Sequence, residues 1–426
     1  MSDLQARLEE KTARVAVVGQ GYVGLPLAVE FARARFRVTG LDTDPARVAA
    51  LNRGESYIPD VPAALLADVV QAGHFDATTD SGRLAEQDAI VICVPTPLRK
   101  SREPDVSHVV AAAEAVAARL RPGQLVVLES TTYPGTTEEL LLPMFERGGL
   151  QVGRDFHLAF SPERIDPGNP QFGVKDIPKL VGGVTPACTR LAACLYRQVV
   201  ALVHELSGPK VAELAKLYEN TFRSVNIALA NEMALVCHHL GTDVWEVIDA
   251  AATKPFGFMP FYPGPGIGGH CIPIDPFYLT WKAREYDFST RFIELAGEVN
   301  NNMPYFCRSL ISQALNHGAQ KSVSGSKVLI LGVAYKPDIG DWRESPAEKL
   351  IHLLEGAGAA VSYHDPFVPQ FDGRSSVPLD PASYDCVAIV TNHSGIDYAK
   401  LVRESNVVVD FRNATKGHEA EKVWKL

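Results

Sequence analysis

The sequence predicts an α/β protein, two strand-and-helix units joined by a long central helix. Three observations carry this. An apolar strand at Arg14–Val18 runs into Gly19-Gln20-Gly21-Tyr22-Val23-Gly24 and then into a helix pattern. A helical stretch opens after Pro209 and continues through Leu240 to Gly241. A second glycine-ended strand, Lys327–Gly332, starts another alternation of strands and helices. Such alternation builds parallel sheets covered by helices.

The first glycine run is G-x-G-x-x-G in its full context of strand, tight turn, helix and second strand. The second strand, Arg37–Leu41, ends in Asp42, 18 residues after Gly24. This is the dinucleotide fingerprint of a Rossmann domain. Gly19 makes the turn, Gly21 lets backbone approach a pyrophosphate, and Gly24 allows close packing, so the helix N-terminus faces the phosphates. Asp42 is placed to accept from a ribose and would repel a 2′-phosphate, which favours NAD over NADP. Two further apolar strands, Ala89–Val94 and Leu125–Glu129, run into Pro95-Thr96-Pro97 and Ser130-Thr131-Thr132. Polar residues at strand carboxyl ends are where open α/β sheets bind ligands. Ser130 reads equally well as a helix N-cap.

The central helix spans 31 residues from Lys210 to Leu240, roughly 46 Å if unbroken. Its apolar residues occur nearly all round, as in a helix buried between domains or subunits. Lys216 and Asn220 lie at i and i+4 on one face, which reads as a site or as a solvated stripe. His238-His239 complement the helix carboxyl end. The third unit places a helix at Ala347–Glu355 and strands at Val361–Tyr363 and Cys386–Val390, and reads as a second nucleotide-binding fold. His364-Asp365-Pro366 reads as a strand-end turn. Linkers fall near residues 204–209 and 317–326. The division is residues 1–205, an NAD-binding domain; 206–320, a helical central domain; and 321–426, a C-terminal α/β domain.

Composition bounds the function. The net charge of −9 argues against nucleic-acid and anionic-membrane partners. No apolar run approaches the roughly 20 residues that span a bilayer, and the polar N-terminus lacks a signal-peptide core. Seven scattered cysteines, without a CxxC pair, point to reduced thiols in the cytoplasm. Cys271 stands apart. It lies in Gly264-Pro265-Gly266-Ile267-Gly268-Gly269-His270-Cys271-Ile272-Pro273-Ile274-Asp275-Pro276, a thiol on a glycine-rich loop with a carboxylate four residues on, which is the setting of an activated nucleophile. His270, Cys271 and Asp275 match no zinc spacing, so no metal is expected. A cysteine nucleophile combined with a nicotinamide can take an alcohol through an aldehyde and a thioester to an acid.

These pieces together resemble the nucleotide-sugar 6-dehydrogenase family, the UDP-glucose and UDP-N-acetylhexosamine dehydrogenases. Besides the first glycine run and the Cys271 loop, the markers are Val94-Pro95-Thr96-Pro97, Ser161-Pro162-Glu163, Glu213 to Asn220, Gly332-Val333-Ala334-Tyr335-Lys336 and Asp341-Trp342-Arg343-Glu344-Ser345. The resemblance implies an N-terminal Rossmann domain for NAD and a C-terminal α/β domain for UDP, joined by a long helix that makes a homodimer. It implies two successive oxidations of a sugar C6 alcohol, consuming two NAD and one water and supplying a polysaccharide precursor. In this reading Cys271 is the nucleophile, Lys216 and Asp275 handle protons and water, and Asn220 holds the C6 oxygen. Glu163 and Thr131 sit beside the water or the nicotinamide. Tyr22, Val23, Arg47, Thr96 and Arg343 join Gly19, Gly21, Gly24, Asp42 and Thr131 at the cofactor. Arg164, Tyr262, Gly268, Lys336 and Arg412 join Glu163, Lys216 and Asn220 at the UDP-sugar.

Family members acting on UDP-glucose carry Phe after the cysteine, Lys before the aspartate, and an arginine ahead of the glycine loop. Here those places read Ile272, Ile274 and the aromatic run Lys254–Tyr262. Together with Ser161–Asn169 these departures resemble the UDP-N-acetylglucosamine branch, with UDP-N-acetylmannosamine, UDP-N-acetylgalactosamine and UDP-glucose as alternatives. A one-oxidation hydroxyacid dehydrogenase has no use for the Cys271 loop or a third domain. A silent NAD- or UDP-sugar-binding regulatory protein has no need of Lys216, Asn220, Cys271 and Asp275 together.

Overall fold

The computed structural model describes residues 3–99, 103–165, 171–269 and 271–426. His270 and the Asp166–Asn169 run read above lie outside them. The chain forms two compact units: one runs to Glu219 and includes Trp281–Asp287, the other comprises Asn220–Thr280 and Phe288–Leu426.

The first unit is built on eight strands: β1 (Arg14–Val18), β2 (Arg37–Leu41), β3 (Phe75–Thr78), β4 (Ala89–Ile92), β5 (Leu125–Leu128), β6 (His157–Phe160), β7 (Lys179–Gly183) and β8 (Val203–Leu206). They lie in the order β3-β2-β1-β4-β5-β6-β7-β8. All neighbours are parallel except β6 and β7, which pair antiparallel. The first six reproduce the doubly wound dinucleotide-binding order. β4 and β5 are apolar and buried throughout, as central strands covered on both faces must be. The sheet reverses where strand order switches away from β1, and the glycine turn opens at that point, between β1 and β4.

The second unit carries a five-stranded parallel sheet of β9 (Lys327–Leu331), β10 (Ala360–His364), β13 (Cys386–Ile389), β14 (Val408–Asp410) and β15 (Val423–Lys425), ordered β10-β9-β13-β14-β15. A short hairpin, β11 (Gln370–Phe371) with β12 (Arg374–Ser375), follows β10. A 28-residue helix, Arg291–Gly318, packs its buried stripe against this sheet through Leu310, Ile311 and Ala314.

The central helix runs unbroken from Pro209 to Leu240, 32 residues. Val211, Leu214, Tyr218, Phe222, Leu229, Val236 and Leu240 are all exposed in the single chain and recur at steps of three, four and seven along one face. One expectation needs correction. The linkers are shorter than expected, because Val203–Leu206 is strand β8 and the helix from Arg291 reaches Gly318.

Candidate active site

In the first unit the glycine turn has a distinct reason for each of its glycines. Gly19 has φ +92°, and a Cβ there would stand 2.7 Å from the Cys93 carbonyl oxygen. A Cβ on Gly24 would stand 1.8 Å from the Gly19 carbonyl oxygen. Gly21 differs, because no protein atom lies within 4 Å of where its Cβ would be. The open side of the turn is therefore at Gly21, just before a helix, Gly24–Arg33, whose first turn has no side-chain cap. Uncapped amides beside an open glycine suit a pyrophosphate.

Asp42 has a second duty that sequence reading misses. Its buried carboxylate accepts from the Gln20 amide at 2.9 Å and the Asp44 amide at 3.0 Å, so it fastens the turn. The Arg47 guanidinium approaches Asp42 to 4.0 Å and lies over the Tyr57 ring. The Tyr57 hydroxyl donates to the Gln20 carbonyl at 2.7 Å, and burial pushes it up to about 12. Tyr57 carries no motif, which is why pattern reading passes over it. Thr96 and Thr131 are partly buried at the ends of β4 and β5. Ser130 is not a helix cap: its hydroxyl donates to the Val94 carbonyl at 2.7 Å, tying the β4 and β5 ends together.

Glu213 is fully buried and accepts from the Gly135 and Thr137 amides and the Thr137 hydroxyl. It pins the loop after Thr131 to the central helix, one turn before Lys216, which is also buried. Glu163 follows β6 and accepts from the Arg164 and Ile165 amides at 2.6 and 2.5 Å. Burial works against its charge, but Lys179, the Ile165 amide and Lys216 hold its carboxyl below the usual range. Arg164 is committed inside the unit, with its guanidinium on Glu219 at 2.7 Å and on the Pro178 carbonyl at 2.6 Å.

In the second unit the Cys271–Asp275 segment is a single turn. The Cys271 carbonyl accepts from the Ile274 amide at 3.0 Å and the Asp275 amide at 2.8 Å. Asp275 opens the helix Asp275–Ala283, where the helix dipole favours its ionised form. Its Oδ2 accepts from the Asn220 side-chain amide, whose oxygen in turn accepts from Arg223. Carboxylate and amide are thus fixed to each other, and the backbone of Cys271 shares their turn. Cys271 alone among the seven cysteines is not buried. Burial pushes the Cys93, Cys307 and Cys386 thiols upward, away from reactivity.

The glycine loop before Cys271 is clamped. Gly264 donates to Asn231 at 2.9 Å, Asn231 donates to Asn300 at 2.9 Å, and Gly269 donates to the Arg343 carbonyl at 3.0 Å. A Cβ on Gly264 would meet the Arg412 guanidinium at 2.4 Å, and one on Gly268 would meet Tyr335 at 2.6 Å. Arg412 is half-buried, desolvation brings its guanidinium down to about 10, and its Nε donates to the Val390 carbonyl. Lys336, next in sequence to Tyr335, is half-buried, and the Arg343 side chain pairs with Asp341 at 2.6 Å. Tyr262 stacks on Trp245 and donates to Asp249 at 2.8 Å. The second glycine-ended strand is closed internally: Asp365 takes the Val333 and Ala334 amides, the Phe367 and Val368 amides, and His393. His364-Asp365-Pro366 is a strand-end turn, as expected. Among the described residues no His, Cys, Asp and Glu group is arranged to hold a metal, and no helix is long and apolar enough to cross a membrane.

A dinucleotide turn in one unit and a presented cysteine turn in the other define a nucleotide-linked dehydrogenase. Residues 13–200 match the NAD binding domain of the UDP-glucose/GDP-mannose dehydrogenase family, 210–302 its central domain and 329–417 its UDP binding domain. The chain belongs to this family and is an NAD-dependent nucleotide-sugar dehydrogenase. It is 37% identical over 417 residues to the UDP-N-acetyl-D-glucosamine 6-dehydrogenase of Pseudomonas aeruginosa, covering 94% of this chain and 97% of that protein. The UDP-D-ManNAc dehydrogenase structure from Pyrococcus horikoshii superposes with TM-score 0.89 at 33% identity, covering 97% and 98% of the two chains. The NDP-N-acetyl-D-galactosaminuronic acid dehydrogenase structure from Methanosarcina mazei Go1 superposes with TM-score 0.83 at 32% identity, covering 100% and 97%.

Proposed function

We propose that the chain oxidises the C6 hydroxyl of a UDP-N-acetylhexosamine, UDP-N-acetylglucosamine first, to the carboxylate in two NAD-linked steps. The observation that carries this reading is the Cys271–Asp275 turn, with its thiol partly exposed and its carboxylate bonded to Asn220. NAD, when bound, accepts a hydride from C6 in each oxidation. In the first, Asp275 takes the C6 hydroxyl proton as the aldehyde forms. The Cys271 sulfur then bonds to C6, its proton passing to the carbonyl oxygen, to give a thiohemiacetal. Loss of that hydroxyl proton with the second hydride leaves a thioester. Water adds at C6, the C–S bond breaks, and the thiol returns as the uronic acid departs.

Lys216 and Asn220 lie one turn apart on the central helix. Cation and amide donor suit the negative charge that develops on the C6 oxygen. Glu163 and Thr131 are assigned to the water, and Arg164, Tyr262, Gly268, Lys336 and Arg412 to the nucleotide sugar. Gly19, Gly21, Tyr22, Val23, Gly24, Asp42, Arg47, Thr96 and Arg343 are assigned to NAD.

The acetamido preference rests on Ile272, Ile274 and the aromatic run before the glycine loop, where Phe256, Phe258 and Met259 are exposed. The P. aeruginosa relative's name supports the gluco epimer, and the P. horikoshii name makes the manno epimer the second reading. The exposed face of the central helix supports a homodimer, and seven unpaired cysteines support a reducing compartment such as the cytoplasm. Cys271→Ser should abolish steady-state acid formation, measured as NADH release, while UDP-sugar binding by calorimetry survives. Retained acid formation removes Cys271 from the mechanism.

A further inference from the structure

Beneath Glu163 the first unit holds a buried charged cluster that none of the assigned roles uses. Lys179, on β7, reaches two carboxylates at once. It pairs closely with Glu129 at the end of β5, and its Nζ lies 3.4 Å from Glu163. The other Glu129 oxygen accepts from the Tyr196 hydroxyl at 2.6 Å, and the Tyr196 ring lies 5.2 Å from the Lys179 ammonium. The side chains of Glu129, Lys179 and Glu163 are only 0%, 8% and 13% exposed.

One ammonium shared by two buried carboxylates pairs fully with at most one of them, and Lys216 reaches only Glu163, so keeping Glu129 ionised as well is costly. The two acids should therefore separate, one ionised and the other inclined to hold a proton. Burial pushes the Glu129 carboxyl up to about 7, whereas the Glu163 carboxyl is held below its usual range. The remaining titratable neighbours come from three other elements. Cys93 at the end of β4 is protonated, since burial raises its thiol, and Tyr196 is likewise raised. Lys216 on the central helix adds positive charge to Glu163 from the opposite element.

We propose that Glu129 and Lys179 are a positioning pair for Glu163, in which the protonation state of Glu129 sets how much of the Lys179 charge Glu163 receives. When Glu129 is protonated, Lys179 serves Glu163 and holds it ionised. When Glu129 is ionised it competes for the same ammonium, and Glu163 becomes a stronger base. Both are more deeply buried than Glu163 and act through it. The inference rests on the reading of Glu163 as a group beside the reacting water.

The test is the pH profile of kcat, followed by NADH release with saturating NAD and UDP-N-acetylglucosamine. Three variants, Glu129→Gln, Lys179→Met and Lys179→Arg, are compared with Glu163→Gln. Glu129→Gln mimics the protonated acid, so the acid limb of the profile should move to lower pH by about one unit. Lys179→Met leaves the two acids without their cation, so the limb should move up by at least one unit. Its kcat should fall about tenfold at pH 7, with the KM for NAD unchanged, and Lys179→Arg should restore both. If all three variants keep the wild-type profile while Glu163→Gln is impaired, the pair is structural and the proposal fails alone. If Glu163→Gln behaves as wild type, the Glu163 reading fails and the proposal with it. Glu129→Gln is isosteric, so its profile alone decides between the outcomes even if Lys179→Met does not fold.

Discussion

Cys271, Asp275 and Asn220 hold one another through one backbone turn and one side-chain hydrogen bond. The sequence marks the thiol and the carboxylate four residues apart on a glycine-rich loop, and the turn that joins them appears only in the structure. Lys216 is read from the sequence as sharing one helical face with Asn220, four residues on. Its charge matters most where the C6 oxygen becomes negative, so Lys216→Ala should lower kcat by 100-fold or more while the KM for UDP-sugar changes only severalfold. A variant that loses binding and keeps kcat would give Lys216 a different role. Other residues are not legible. Glu129 and Lys179 are 50 positions apart and meet only because β6 lies between β5 and β7. Tyr57, Glu213 and Asn231 also act through contacts distant in sequence. No local pattern announces a partner supplied by another element.

The strand–turn–helix elements around Gly19 follow directly from local chemistry. An apolar strand buried on both faces must end somewhere, and a glycine with positive φ lets the chain reverse there. The structure separates the two kinds of glycine, and this yields paired expectations. Gly24→Ala forces a methyl onto the Gly19 carbonyl, so the fold should lose about 1–3 kcal/mol, as overpacked sites do, visible as a lower Tm without ligand. Gly21→Ala meets no protein atom, so Tm without ligand should hold while the KM for NAD rises at least tenfold. Equal NAD affinity in Gly21→Ala would mean that the cofactor does not approach the turn there. What the local pattern misses is the edge of the sheet. β8 is the edge strand and partly exposed, and its run reads as a linker because no apolar periodicity marks it as strand.

At the scale of the whole molecule, three segments in a fixed order, each matching one part of the same family, make the fold and the chemistry class legible. The proposed homodimer rests on a different observation. A face of large apolar side chains repeats along the central helix from Val211 to Leu240, and a soluble chain rarely leaves such a patch in water. A second copy of the same helix would cover it. Leu229→Asp combined with Val236→Asp should halve the mass seen by light scattering. A wild-type monomer, or an unchanged mass in the double variant, would refute the dimer. Sequence alone reads this helix as one buried between domains or subunits, and counting its apolar residues does not show which face the chain's own elements leave exposed.

The central claim is a four-electron oxidation on one cysteine, and its most direct measurement is NADH formed per nucleotide sugar consumed. It should be made with UDP-glucose and with the gluco, galacto and manno forms of UDP-N-acetylhexosamine. Two NADH per sugar, with UDP-N-acetylglucosamine turned over fastest, is the expected result. One NADH per sugar, with the aldehyde released, would leave Cys271 without a role and contradict the account.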